Sequence, residues 1–244
     1  MTSFKRILAA TKRQVNRLVE FSGLDVGLVE NILQYAQQLP KQKGGDIDLL
    51  VFMAQMSKQF ELNSTFLIQS MFESLKKPKA SMMTVEEYCR CVCLFLSDNL
   101  EIKMDYVFNV YDINRDGSLE WTELYTLLRP CILSTESEDS ETDVEDSLRD
   151  LIDIVIKITD LDNNGQIDCT EFKKLVKSNI LYLQFLGPCL PLEQVADNFK
   201  AKMIGKTPYQ IKLEFADERH ISLCEIKIAP EESQQLYPVP LDLP

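Results

Sequence analysis

Apolar residues return every three or four positions over most of the chain up to about residue 185, in runs separated by short polar breaks, which predicts helices joined by loops. Val26, Val29, Ile32 and Leu33, with Tyr35 or Ala36, mark one helix over residues 25–38, and Pro40 ends it with LPKQKGG as a loop. A second helix is expected from Asp48 to Phe60. Asn63 and Ser64 cap a third that runs to Leu75. KKPKASMM breaks the pattern, and Thr84 with Glu87 three residues on makes a capping box for the next helix. Upstream, Phe4, Ile7, Leu8, Thr11, Val15, Leu18 and Val19 share a helical face, while Lys5, Lys12, Arg13 and Arg17 lie mostly elsewhere; a first helix packed on the domain behind it is expected. Residues 101–111, 119–129, 146–159 and 168–185 are four more amphipathic stretches. Between them STESEDSETDVED (134–146) is polar, acidic and free of aromatics, and reads as a solvated linker. Beyond Gly187-Pro188 the character changes. Residues 192–203 fit one more helix, YQIKLEF and HISLCEIKI alternate as the strands of a hairpin, and YPVPLDLP suits no regular structure.

Composition adds one decisive fact. The 244 residues carry 26 Lys and Arg against 38 Asp and Glu, a net charge of −12. The imbalance is local, because residues 101–200 hold 21 of the acids and only nine of the bases. An acidic chain lacks the basic footprint of a nucleic-acid binder. No apolar run reaches the roughly 18–20 residues of a membrane-spanning helix. The N-terminal segment has no uninterrupted apolar core for a secretory signal, and Thr2 stands where N-myristoylation needs Gly. Seven cysteines without such a signal suggest reduced thiols in the cytoplasm. Cys89, Cys91 and Cys93 form a CRCVC run, but metal pairs favour C-x-x-C, and small residues within a packed helix explain it better.

The acids resolve into two twelve-residue loops, Asp112–Glu123 (DINRDGSLEWTE) and Asp160–Glu171 (DLDNNGQIDCTE). Both follow D-x-[DN]-x-[DN]-G-x-x-x-x-x-E, the spacing that wraps six to eight hard oxygens around one calcium ion. In the first, Asp112, Asn114 and Asp116 supply side-chain oxygens, Ser118 a backbone carbonyl, Glu120 a direct or water-borne contact, and Glu123 both carboxylate oxygens. Asp160, Asp162, Asn164, Gln166, Asp168 and Glu171 take the same roles in the second. Gly117 and Gly165 permit the sharp turn at position six. Leu119 and Ile167 fall at position eight, where paired loops join through a short two-strand contact. A bidentate Glu raises the ligand number beyond magnesium's octahedron, so two Ca²⁺ ions are expected, with affinities of roughly 10⁻⁷–10⁻⁵ M. Met104, Val107, Phe108 and Tyr111 before the first loop, and Ile152, Val155 and Ile156 before the second, give each its entering helix.

A third segment, Lys76–Glu87, has the same length and the same final Glu, but Lys76, Pro78 and Ala80 fill the first three ligand positions and Ser81 replaces the Gly. It will not hold Ca²⁺. The stretch from Leu39 to about Asp48 reads as a still more degraded loop. The fold class is therefore all-α: two EF-hand lobes, the N-terminal one degenerate and the C-terminal one with two calcium loops, plus an irregular or β-hairpin tail. The expected domains are residues 1–98, 99–185 and a C-terminal extension, 186–244.

An ion-free hand before two good ones, an acidic insertion between loops that begin 48 residues apart, and the closing FLGPCLP of Phe185–Pro191 together resemble the calaxin-like calcium sensors of the EF-hand superfamily, over about residues 5–200. The resemblance implies a non-enzymatic sensor of the ciliary or flagellar axoneme, with a dynein heavy chain or docking-complex subunit as protein partner. The alternatives are a constitutively bound connector in an axonemal or microtubule complex, and a calcium-dependent regulatory subunit of an enzyme or channel. A catalytic role finds no nucleophile and base; the lone His220 reads as a strand residue.

Overall fold

The computed structural model describes residues 2–41, 45–133, 141–185 and 189–204. The expected tail hairpin lies outside them. Five helices build the N-terminal half: α1 (Thr2–Ser22), α2 (Val26–Gln38), α3 (Leu49–Phe60), α4 (Thr65–Leu75) and α5 (Val85–Leu96). The starts of α2 to α5 have the side chain that the first turn needs. Asp25 accepts from the Gly27 and Leu28 amides, Asp48 from Val51 and Ser64 from Leu67, and Thr84 and Glu87 close a full capping box. Val26 is exposed and Leu28 buried, so the apolar face of α2 lies slightly around from the one expected.

The C-terminal half holds α6 (Leu100–Tyr111), β1 (Ser118–Leu119), α7 (Trp121–Leu133), α8 (Glu141–Thr159), β2 (Ile167–Asp168), α9 (Cys169–Ser178), α10 (Leu181–Phe185) and α11 (Glu193–Met203). Two expectations are corrected. Residues 141–146 are not linker but the first turns of α8, where acids favour the positive end of the helix dipole. Glu145 in those turns accepts from the Tyr125 hydroxyl and meets Arg129 and Arg149 at 3.6 and 3.4 Å. The stretch 168–185 is not continuous either. The chain leaves helical geometry at Asn179, whose Oδ1 accepts the Leu181 amide and starts α10. Helix α7 continues through Pro130.

One apolar cluster runs through both halves, from Val15 in α1 to Met203 in α11. Phe52 packs against Phe72 and Tyr88, and Phe95 bridges from Phe60 to Tyr106 across the halves. Helix α11 returns to the N-terminal half: Phe199 is wedged between Tyr35 and Phe60 with centroids 5.6 and 4.9 Å away, and the Asn31 amide donates to the Met203 carbonyl. Burial of Cys89, Cys91 and Cys93 raises their thiol pKa values, that of Cys93 to about 12, so these groups stay protonated packing residues. Among the described residues no helix is long and apolar enough to cross a membrane.

The hydroxyls of Tyr88 and Tyr106 are fully buried with no hydrogen-bond partner among the described residues. A buried donor without a partner is destabilising, and removing it relieves the penalty. Tyr106→Phe and Tyr88→Phe are each expected to raise stability by about 1 kcal/mol in urea unfolding; a loss of that size would reveal a partner for the hydroxyl.

Candidate metal centre

The two loops close against each other through β1 and β2, which pair antiparallel with Leu119 opposite Ile167 and Ser118 opposite Asp168. Both position-eight side chains are buried, at 0% and 2% exposure, so the contact is pinned by core packing as well as by the backbone. Each loop then turns identically. Arg115 and Asn163, at position four, have φ of 61° and 59°, and Gly117 and Gly165, at position six, have 88° and 83°. Glycine takes that left-handed turn without strain, whereas a Cβ resists it.

These turns gather the acids inward around the loop's own amides. Asp112 accepts from the Asp116 and Gly117 amides at 3.1 Å, and Asp160 from Asn164 and Gly165 at 3.1 and 2.7 Å. Asn114 Oδ1 accepts the Asp116 amide, Asp116 Oδ1 accepts both the amide and the hydroxyl of Ser118, and Asp162 Oδ1 accepts the Asn164 amide. The final glutamates span their loops. Glu123 takes the Ile113 and Asn114 amides on one oxygen and the Glu120 amide on the other; Glu171 takes Leu161 and Asp168 in the same way. Asp168 in turn accepts the Glu171 amide, which completes a capping box at the start of α9.

Charge is balanced by these donors. Hydrogen bonds from the Ser118 hydroxyl and amide and from Asn114 hold the Asp116 carboxyl below the usual range. Burial pushes Asp160 up, but the amides of Gly165 and Asn164 outweigh it and leave the net shift downward. For Glu123 burial prevails over three amide donors and raises its pKa.

The residues fit a calcium ion. Every donor is a hard oxygen, and carboxylate oxygens of Asp160, Asp162 and Glu171 lie within 4.8 Å of one another. Carboxylate oxygens that accept one amide keep a further lone pair for a cation. Among the described residues only Asp160, Asp162 and Glu171 of the twelve expected ligand residues meet as a carboxylate cluster at that distance; the first loop's acids do not form one. Glu120 and Gln166 do more than expected: Gln166 Nε2 donates to Glu120 Oε1 at 2.8 Å, from one loop to the other. The register that places Ser118 opposite Asp168 also places position seven of the second loop opposite position nine of the first, so the pair was implicit in the position-eight contact.

The N-terminal half repeats this architecture with few of the acids: Asp48 stands at position nine of its first loop and Glu87 at position twelve of its second. Ile47 and Met83 form an isolated antiparallel bridge with amide-to-carbonyl distances of 2.7 and 2.9 Å. Met83 is position eight of Lys76–Glu87, so Ile47 is position eight of a loop spanning residues 40–51, three residues longer at its end than the sequence pattern suggested. Gly45 and Lys79 keep the positive φ of positions six and four, at 87° and 66°. Val51 stands in the last ligand position, and Lys76 in the first position of the second loop.

Comparison with known proteins agrees with this geometry. A family model described as an EF-hand domain pair matches residues 101–177. Calaxin of Xenopus laevis is 30% identical over 145 residues, which cover 59% of this chain and 68% of that protein. Calaxin of Homo sapiens is 28% identical over 144 residues, 59% of this chain and 67% of that one. Calaxin of Bos taurus is 27% identical over 157 residues, 64% and 73% respectively.

Trp121, the only tryptophan, sits at position ten of the first loop, stacked on Tyr125 at 4.9 Å and donating to Asp153. Its emission is expected to change on calcium addition, and Glu123→Gln with Glu171→Gln to remove most of the binding; unaltered calorimetric titration of that double variant would mean the ligands lie elsewhere. Gln166→Ala is expected to reduce the coupling between the two binding steps by roughly 1 kcal/mol, the net worth of a typical side-chain hydrogen bond, seen as a lower Hill coefficient.

Proposed function

Because the chain belongs to the calaxin family of EF-hand calcium-binding proteins, we propose that it is a sensor that takes one Ca²⁺ in each of the loops Asp112–Glu123 and Asp160–Glu171 and passes their occupancy to a protein partner. The supporting observation is the paired arrangement of the two loops, each with its acids already drawn around backbone amides and its last glutamate in the first turn of the following helix. Calcium makes Glu123 and Glu171 its bidentate ligands, so ion binding pulls on the starts of α7 and α9. An apolar cavity lined by Leu119, Val155, Thr159, Ile167, Phe172, Leu175 and Tyr182 lies directly behind the loop contact. Widening it exposes a groove suited to an amphipathic partner helix.

Movement of α9 meets a defined restraint. Lys173 pairs with Asp105 at 2.5 Å and Lys177 with Glu101 at 2.6 Å, tying α9 to α6 across the outside of the lobe, while Phe108 packs on Phe172 beneath them. These ion pairs are largely solvent-exposed and contribute little individually, so they steer the closed arrangement without locking it. Membership of this family supports a protein partner in the cilium or flagellum, and the partner of this reading is an outer-arm dynein heavy chain or a docking-complex subunit of the axoneme. The continuous apolar cluster through both halves favours a second reading, a rigid connector that holds calcium constitutively.

Pull-down from ciliated cells with Ca²⁺ or with chelator separates the two. A partner set that changes with calcium, and that includes axonemal dynein or docking components, is expected; identical sets in the two conditions would leave the connector.

A further inference from the structure

Helix α4 joins the ion-free loop to the first calcium loop, and its contacts are specific. The last four carbonyls of any helix lack partners within it. In α6, which enters the calcium loop, the Val110 carbonyl is one of these, and Ser70 of α4 donates its hydroxyl to it at 2.5 Å. In α4 the Glu73 carbonyl is another, and the guanidinium of Arg115 in the calcium loop donates to it. The two helix ends thus cap each other. Arg115 does so from a strained position: its φ is 61°, where the second loop uses Asn163, a residue that tolerates left-handed backbone better.

The other end of this connection is fixed without any metal. Lys76, first residue of the ion-free loop, has a side chain only 8% exposed; its ammonium pairs with Glu73 at 2.7 Å and donates to the Ala80 carbonyl at 2.5 Å. A covalently attached cation therefore ties position one to position five of the loop, across the span that an ion's ligands would occupy. Glu87, the last position, is engaged with the Thr84 amide just as Glu123 is with Glu120 and Glu171 with Asp168. The end of α4 is thus held by contacts that involve no ion.

We propose that the ion-free lobe sets the calcium affinity of the first loop, with Ser70 and Arg115 as positioning residues that preorganise Asp112–Glu123 from α4. This rests on the reading that the loop binds calcium. Reciprocity follows, since a contact that favours calcium is itself favoured by calcium: ion binding in the first loop strengthens the capping of α4 and, through Glu73 and Lys76, protects the amides of residues 77–83.

The test uses the full chain. Ser70→Ala removes one hydroxyl, leaves all charges in place and raises helix propensity in α4. Arg115→Lys keeps the charge near the ion but loses the planar fork. Each is expected to weaken calcium binding reported by Trp121 emission about twofold to fivefold, the scale of one helix-end contact, with the second site weakened less in calorimetry, only through its coupling to the first. Ser70→Thr, which keeps the hydroxyl, is expected to restore wild-type affinity. Hydrogen exchange of residues 77–83 is expected to slow with calcium in the wild type and in Ser70→Thr, and to ignore calcium in Ser70→Ala. Wild-type affinity in both weakening variants overturns the proposal, as does equal weakening of both sites, the mark of general loosening. A wild-type chain whose Trp121 and binding heat ignore calcium overturns the calcium reading itself.

Discussion

The antiparallel contact at position eight is the constraint on which the remaining structure depends. Leu119 opposite Ile167 and Ile47 opposite Met83 are each only a residue or two of strand, yet each fixes the relative placement of four helices. A short bridge of this kind could not persist alone. It persists because all four side chains are buried, so the same residues that hydrogen-bond through their backbone also close the core beneath the loops. The repeated bridge shows that pairing of loops is a property of packing. The acids that suit a metal are superimposed on it in one half and mostly replaced in the other.

The fate of the acids follows from that separation. Where a loop binds nothing, carboxylates clustered in a turn would only repel one another, and the N-terminal loops have lost most of them: Val51 and Lys76 occupy ligand positions, Ala80 offers only its carbonyl, to the Lys76 ammonium, and Glu87 remains as an acceptor for the Thr84 amide. Where the acids remain, four per loop, amides stand in for part of the positive charge. The −12 of the whole chain is therefore not diffuse acidity. Much of it is two sets of carboxylates arranged for divalent cations, and a further set gathered from residue 136 to 146, of which residues 141–146 lie in the first turns of α8.

What the sequence made legible was whatever depends on near neighbours. Caps at Asp25, Asp48, Ser64 and Thr84 were readable because a cap is a bond to the next few amides. The two loops and their position-eight residues were readable because a coordination sphere dictates such spacing. The start of α8 was missed because a run of acids looks alike in a solvated linker and at a helix N-terminus; only the cations and hydroxyl around Glu145 distinguish them, and these come from α7 as well as α8. The docking of Phe199 between Tyr35 and Phe60, and the Ser70 and Arg115 contacts, join residues far apart in the chain. No local pattern announces such partners. The Gln166 to Glu120 bond stands between these cases, since the register implied it once the pairing of the loops was granted.

Position twelve shows why a loop built this way suits signalling as well as storage. Glu123 and Glu171 are buried acids in the first turns of α7 and α9, held by two or three amides each. A divalent ion competes for those carboxylate oxygens with far greater charge than an amide dipole has. At the second loop the response cannot stay local, because Glu171 is also part of a helix whose other residues line the apolar cavity: Phe172 and Leu175 of α9 face it directly. Close-packed interiors transmit such displacements and do not absorb them. The same rigidity leads in the opposite direction through α4, whose end is held by Lys76 without any ion. On the proposed function, the first calcium loop thus works against a helix end that a covalently attached cation holds in place.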